Sequence, residues 1–216
     1  MKVTFTYDKE KDIWCLLNYG KKSGNSGLTT KAYDQFISIY GEDFSEENAS
    51  EFIDKYITEN NIDIDGFISD YQKDWGKVSV EYTKRAEDLF GVSLPHDVTA
   101  YLTINNRCPY SLENNNFFVS MSNRESIRKT TAMHELWHFY TWYAFGSQEE
   151  ALGKQKYNDL KESLTVLLNV EFKHLLPEDV EDKGYPQHQE IRAKILEFWA
   201  KDKNMSNLWE YLVSEC

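Results

Sequence analysis

Between Ser122 and Gly146 the chain carries Trp137, Phe139, Tyr140, Trp142, Tyr143 and Phe145 around every side of one predicted helix. A helix that is apolar all round has no face to give to water and must be enclosed by other elements. Ser122-Asn123-Arg124-Glu125 has the form of a capping box, with Ser122 as the cap and Glu125 reaching back. Gly146 marks the stop. Ile127, Thr131, His134, His138 and Thr141 recur along one side at helical spacing.

That helix contains His134-Glu135-Leu136-Trp137-His138, an HExxH pattern that uses two of the five histidines in the chain. Residues i and i+4 stand one above the other on a helix, about 5–6 Å apart at Cβ. Two imidazoles placed so can share one ion at about 2.0–2.1 Å. Glu135 projects beside the pair and is placed to take a proton from a water that zinc has made acidic. The competing interpretation is a helix with two buried, hydrogen-bonded histidines.

A catalytic zinc ion takes three protein ligands and keeps one position open. The place six residues after His138 is Ala144, so no third histidine lies there. Glu162, 24 residues after His138, is the candidate third ligand. It borders an apolar stripe of Leu160, Leu164, Leu167 and Leu168, where a carboxylate needs a partner. Asp159, Glu150 and Glu149 are the rivals, and an exposed glutamate near a helix start is the alternative.

The rest of the chain sets the frame. Residues 29 to 75 read as helical, from Tyr33, Phe36, Ile37 and Tyr40 and then Phe52, Ile53, Tyr56 and Ile57. Gly41 is a stop and a new start falls between Ser45 and Ser50. Asn60 to Asp65 reads as a turn and Lys21 to Gly27 as a loop. Asp12 to Tyr19 fits either a strand or a helix. A helix from about Gly76 to Phe90 ends on Gly91 as a left-handed cap. Val98 to Ile104 and Phe117 to Met121 read as strands. A long helix is predicted over Gln155 to Leu175, and two more over Gln189 to Ala200 and Ser206 to Ser214. This is an α+β pattern: a helical N-terminal region, 1–75, then a domain over 76–216, or one continuous domain.

Composition narrows the partners. With a net charge of -12, the surface repels nucleic-acid phosphates and anionic membrane. No apolar run is long enough to span a bilayer. The N-terminus turns charged before a signal-peptide core develops. Cys15, Cys108 and Cys216 are widely spaced, which suits neither a disulfide framework nor a thiolate zinc site and fits a reducing compartment such as the cytoplasm. At 216 residues the core needs no metal as a staple.

Together, the HELWH helix, the strand before it and a glutamate from a following helix resemble the zincin metallopeptidases of gluzincin type, over roughly residues 98 to 170. The resemblance implies a small mixed sheet packed on the active-site helix. It implies Zn2+ held by His134, His138 and Glu162, with Glu135 as catalytic base, and a peptide or protein substrate. It also implies an edge strand that pairs with an extended substrate, here Phe117 to Met121. Such enzymes place an acidic residue one turn after the third ligand to hold a ligand histidine. That position is Val166 here, so the task passes to another group such as Asn169 or a backbone carbonyl. They also use a tyrosine or histidine from further on to steady the oxyanion, which points to Tyr185 or His188. Plain packing for Tyr185 and an exposed side chain for His188 are the alternatives. His174 and His96 read as structural or exposed. Two other classes stay open: a zincin fold retained for binding or regulation, and a helical interaction protein without metal.

Overall fold

The elements run β1 (Val3–Tyr7), α1 (Lys9–Tyr19), α2 (Lys31–Tyr40), α3 (Glu46–Glu59), α4 (Ile64–Gly76), α5 (Ser79–Phe90), β2 (Val98–Thr103), β3 (Tyr110–Ser111) and β4 (Asn116–Ser120). They continue with α6 (Glu125–Phe145), α7 (Glu149–Leu152), α8 (Lys154–Leu164), α9 (Leu168–Glu171), α10 (Gln189–Trp199) and α11 (Met205–Glu215). This computed structural model describes residues 1–20, 29–41 and 43–215. The loop expected at Lys21 to Gly27 and the cysteine at position 216 lie outside the described residues. At 65% helix with a small four-stranded mixed sheet, the fold is α+β and mostly helical. Among the described residues no helix is long and apolar enough to cross a membrane.

The chain groups into two compact units, Met1–Trp75 with His96–Arg128, and Gly76–Pro95 with Lys129–Cys216. Sequence reasoning divided the chain at residue 75 or left it as one continuous domain. The structure instead joins His96–Arg128 to the N-terminal stretch, because β1 pairs in parallel with β2, Val3 opposite Val98. The N-terminal stretch is therefore not purely helical.

In the first unit the sheet order is β1-β2-β4-β3. β2 and β4 are parallel, Thr99 opposite Asn116, and β3 is antiparallel to β4, Tyr110 opposite Phe117. Both faces are covered. Phe5 stacks on Tyr71 of α4 at 5.3 Å and meets Phe117 edge-on at 6.5 Å. On the other face Trp14 of α1 stacks on Phe118 at 5.7 Å. All five residues of β4 are buried, as expected for a strand enclosed on both faces. β4 is thus an inner strand, not the edge strand expected from the resemblance; β3 takes its outer side.

Local signals account for the helix ends. Asp8 caps α1 by accepting from the amides of Glu10 and Lys11, which settles Asp12 to Tyr19 as helix. Ser45 caps α3 through the amide of Asn48. Gly91, at φ 66°, ends α5 in the left-handed conformation that glycine adopts without cost. Ser122 does not act as the cap of α6, which begins at Glu125. Its hydroxyl is instead 2.7 Å from Asn106 Oδ1 and 2.8 Å from Ser120 Oγ.

Asp12 carries a stability consequence. It is fully buried, and its Oδ1 accepts from Thr103 Oγ1 at 2.5 Å and from the Ile104 amide at 3.1 Å. Burial outweighs these bonds and pushes its pKa from 3.8 up to about 6. The folded state therefore holds this proton more tightly than the unfolded chain does. The contribution is complete below about pH 4 and is lost as pH rises through about 6, a change of roughly 3 kcal/mol at about 1.4 kcal/mol per pH unit. Asp12→Asn should remove that component. The gap between wild type and variant in urea unfolding should shift by that amount, in the variant's favour, from pH 4 to pH 7. A constant gap would show that Asp12 titrates normally.

Candidate metal centre

All residues of the candidate centre belong to the second unit. The helix α6 is held there by aromatic packing. Phe90 of α5 meets Trp137 edge-on at 4.7 Å and stacks on Tyr140 at 5.8 Å. Tyr82 donates to the Met133 carbonyl at 2.7 Å, and Phe145 stacks on Trp209 of α11 at 4.5 Å. From Ala132 to Thr141 every residue of α6 is buried except His134, which is half-buried. The expectation of an enclosed helix holds along this stretch, while Tyr143 beyond it reaches the surface.

His134 and His138 point their Nε2 atoms toward each other, 3.1 Å apart. Glu162, in the last turn of α8, comes to the same place. Its Oε1 is 3.4 Å from His138 Nε2, and its Oε2 is 3.8 Å from His134 Nε2. Among the described residues, His134, His138 and Glu162 are the cluster with spacing suited to a metal ion. The spacing can be tested against zinc. Ligand bonds of about 2.0–2.2 Å in a tetrahedron put ligand atoms about 3.3–3.6 Å apart. The imidazole pair at 3.1 Å and the nearer carboxylate oxygen at 3.4 Å from His138 lie close to that range, and the other oxygen is 3.8 Å from His134. Two imidazoles with one carboxylate form a donor set that zinc accepts in catalytic sites. The residues fit the ion.

The helix predicted over Gln155 to Leu175 is broken. α8 gives way to a 3-10 turn at Thr165–Leu167, then α9, then a second 3-10 turn at Lys173–Leu175. The break falls where Thr165 Oγ1 lies 2.8 Å from both the Glu162 carbonyl and Asp182 Oδ1.

Asp182 is the residue that sequence reasoning missed. Its Oδ2 accepts from His134 Nδ1 at 2.6 Å, which leaves His134 Nε2 to face the cluster. The aspartate is itself braced. Arg192 Nη1 lies 3.1 Å from its Oδ1, with both side chains buried, and Arg192 Nη2 donates to its carbonyl. Asn169 takes both backbone groups of Asp182, donating to the carbonyl and accepting from the amide at 2.8 Å. His134 is therefore held by Asp182, with Asn169 bracing the aspartate, and not by Asn169 or a backbone carbonyl directly. Nothing in the run Glu178-Asp179-Val180-Glu181-Asp182 distinguishes the last carboxylate from its neighbours.

The electrostatics follow from this arrangement. Burial opposes a charge on His134, but the Asp182 hydrogen bond and the charges of Asp182, Glu135 and Glu162 prevail and raise its pKa to about 9. Burial drives His138 the other way, well below its ordinary value, helped by the charges of Lys161 and His134. Glu135 is pushed up to about 7, chiefly by burial and then by Glu162 and Asp182, with His134 and Lys161 opposing. Asp182 is held below the usual carboxylate range: burial opposes this, and His134, Thr165 and Arg192 overcome it.

The other sequence candidates are placed as follows. Tyr185 is exposed and sets its ring edge-on to His188 at 5.5 Å. His188 is buried, not exposed, and its Nε2 lies 3.0 Å from Asp159 Oδ1. Asp159 also accepts from Gln155 Nε2 at 2.9 Å. Gln155, Asp159 and Glu162 fall at i, i+4 and i+7 of α8, one stripe of that helix. Asp159 is thus absent from the ligand cluster but one turn from it, and it carries His188 on the same side as Glu162. Glu149 and Glu150 sit in α7, outside the cluster. His174 is exposed with its Nε2 at 2.5 Å from Glu81, and His96 is exposed.

No protein-family model, curated protein or solved structure matches the chain.

Proposed function

We propose that this protein is a zinc-dependent hydrolase of zincin character, most simply a peptidase. The observation that carries the reading is the convergence of His134 Nε2 and His138 Nε2, 3.1 Å apart, on the Glu162 carboxylate, whose Oε1 lies 3.4 Å from His138 and whose Oε2 lies 3.8 Å from His134. His134, His138 and Glu162 would hold a zinc ion there, and the chemistry it would supply is an acidified water, with a pKa of about 7, and polarisation of a carbonyl.

The chain's own groups support the remaining steps. Glu135 follows a ligand histidine directly, and the helical turn of about 100° per residue points it away from the shared ligand position. It is buried beside the cluster without joining it. That suits a group that accepts a proton from water and returns it to a leaving amine. Asp182 fixes the His134 ring so that Nε2 stays directed at His138 and Glu162. His188, held by Asp159 one turn before Glu162, is the better candidate for steadying negative charge at the carbonyl oxygen. Tyr185 rests against His188 and is exposed.

Elemental analysis of the purified protein is the direct test. Wild type should carry stoichiometric zinc, and His134→Ala or His138→Ala should lose it. Chelation should abolish peptide hydrolysis, and added zinc should restore it. Zinc content near zero in wild type, or unchanged in both variants, would leave a helical protein with two packed histidines.

A further inference from the structure

Lys161 lies directly before Glu162 in α8 and is buried, at 4% exposure. Neighbouring residues on a helix project about 100° apart, so their side chains do not meet by default. Here they do: Lys161 Nζ is 3.1 Å from Glu162 Oε1. Its charge also acts on Glu135 and His138. A buried lysine thus stands beside the candidate centre, where burying an ammonium is costly unless it is paired, and Glu162 supplies the pairing. The Glu162 carboxylate presents Oε1 toward His138 and Oε2 toward His134. A zinc ion that took both oxygens as well as both imidazoles would have four protein ligand atoms. Such a shell leaves less room for a water and a substrate oxygen than one in which the carboxylate gives a single oxygen. The ammonium on Oε1 occupies a lone pair there and repels a dication approaching it, which leaves Oε2, the oxygen facing His134, as the one available to the ion.

We propose that Lys161 is a positioning residue that restricts Glu162 to single-oxygen coordination and so keeps one position on the ion open. This rests on the zinc-site reading above. The test uses full-length wild type, Lys161→Met and Lys161→Arg, each loaded with Co2+ in place of zinc and followed by visible absorption. Lys161→Met should keep stoichiometric metal. Its absorption per cobalt should fall as a further oxygen joins the shell, and kcat should drop by about 10–100-fold with KM unchanged. Lys161→Arg should recover both the spectrum and most of kcat. If Lys161→Met does not fold, Lys161→Gln keeps a donor without the charge and serves in its place. A charge-removing variant with the wild-type spectrum and kcat overturns the inference while leaving the zinc site standing, as does one that loses its metal. A wild-type protein that takes up no stoichiometric metal removes the zinc site and this inference with it.

Discussion

Glu135→Gln should reduce peptide hydrolysis by about 10²–10⁴-fold while zinc stays near its wild-type content. The amide matches the carboxylate in size, so packing in α6 is kept and only the ability to accept a proton is lost. Glu135 is buried at 7% exposure and lies outside the ligand triangle, so removing its charge takes no ligand from the ion. The measurements are zinc per chain and turnover on a mixed peptide pool, made on the same preparation. A variant as active as wild type would move the proton acceptor elsewhere. If wild type binds zinc and hydrolyses nothing, and Glu135→Gln binds the same partners, the centre serves recognition, the class in which a zincin fold is kept without catalysis.

Some parts of this centre were legible in the chain because they are local. Two histidines and a glutamate in five residues define their own geometry once they lie on a helix. Glu162 stood out as a carboxylate beside an apolar stripe, which calls for a compensating group. Asp182 could not be read in that way. It lies in irregular chain between Pro177 and Tyr185, where no periodicity says which carboxylate turns inward. Only the tertiary placement of Arg192, Thr165 and Asn169 selects it.

The strands show the same division. Val3 to Tyr7 holds only β-branched and aromatic residues, which alternate from Thr4 onward, a strand signal that was available at the N-terminus. Phe117 to Val119 is apolar without alternation, which is the mark of an inner strand and argues against an edge. The two-residue β3 has too little sequence to carry a signal. The grouping of His96–Arg128 with the N-terminal stretch depends on β1 meeting a strand 95 residues away, Val3 opposite Val98. A pairing at that separation leaves no local trace. The break of the predicted long helix after Leu164 has a local agent, Thr165, but its second partner is Asp182. That break is therefore also a tertiary event.

Asp182→Ala should combine two losses that are separable by measurement. The first is stability. Arg192 and Asp182 form an ion pair with side chains 4% and 6% exposed, and removing one member leaves the other charge buried without compensation. Such losses cost about 3–5 kcal/mol, readable as a lower urea midpoint for the metal-free protein. The pair's contribution should itself depend on pH. Because Asp182 is held below the usual carboxylate range, its stabilisation is present above the unfolded-state pKa and is lost as pH falls through the folded one. The gap between wild type and variant should therefore narrow in acid. The second loss is metal affinity. Without the acceptor at 2.6 Å, the His134 ring is free to rotate or change tautomer, and zinc binding should weaken by about 10–100-fold in competition with a chelator. Asp182→Asn separates the two: its carbonyl can still accept from His134 Nδ1, but it carries no charge for Arg192. It should lose much of the stability and less of the metal affinity. Equal loss of both in the two variants would mean that Asp182 acts on the metal only by holding the fold together. Unchanged affinity in Asp182→Ala would remove it from the metal centre altogether.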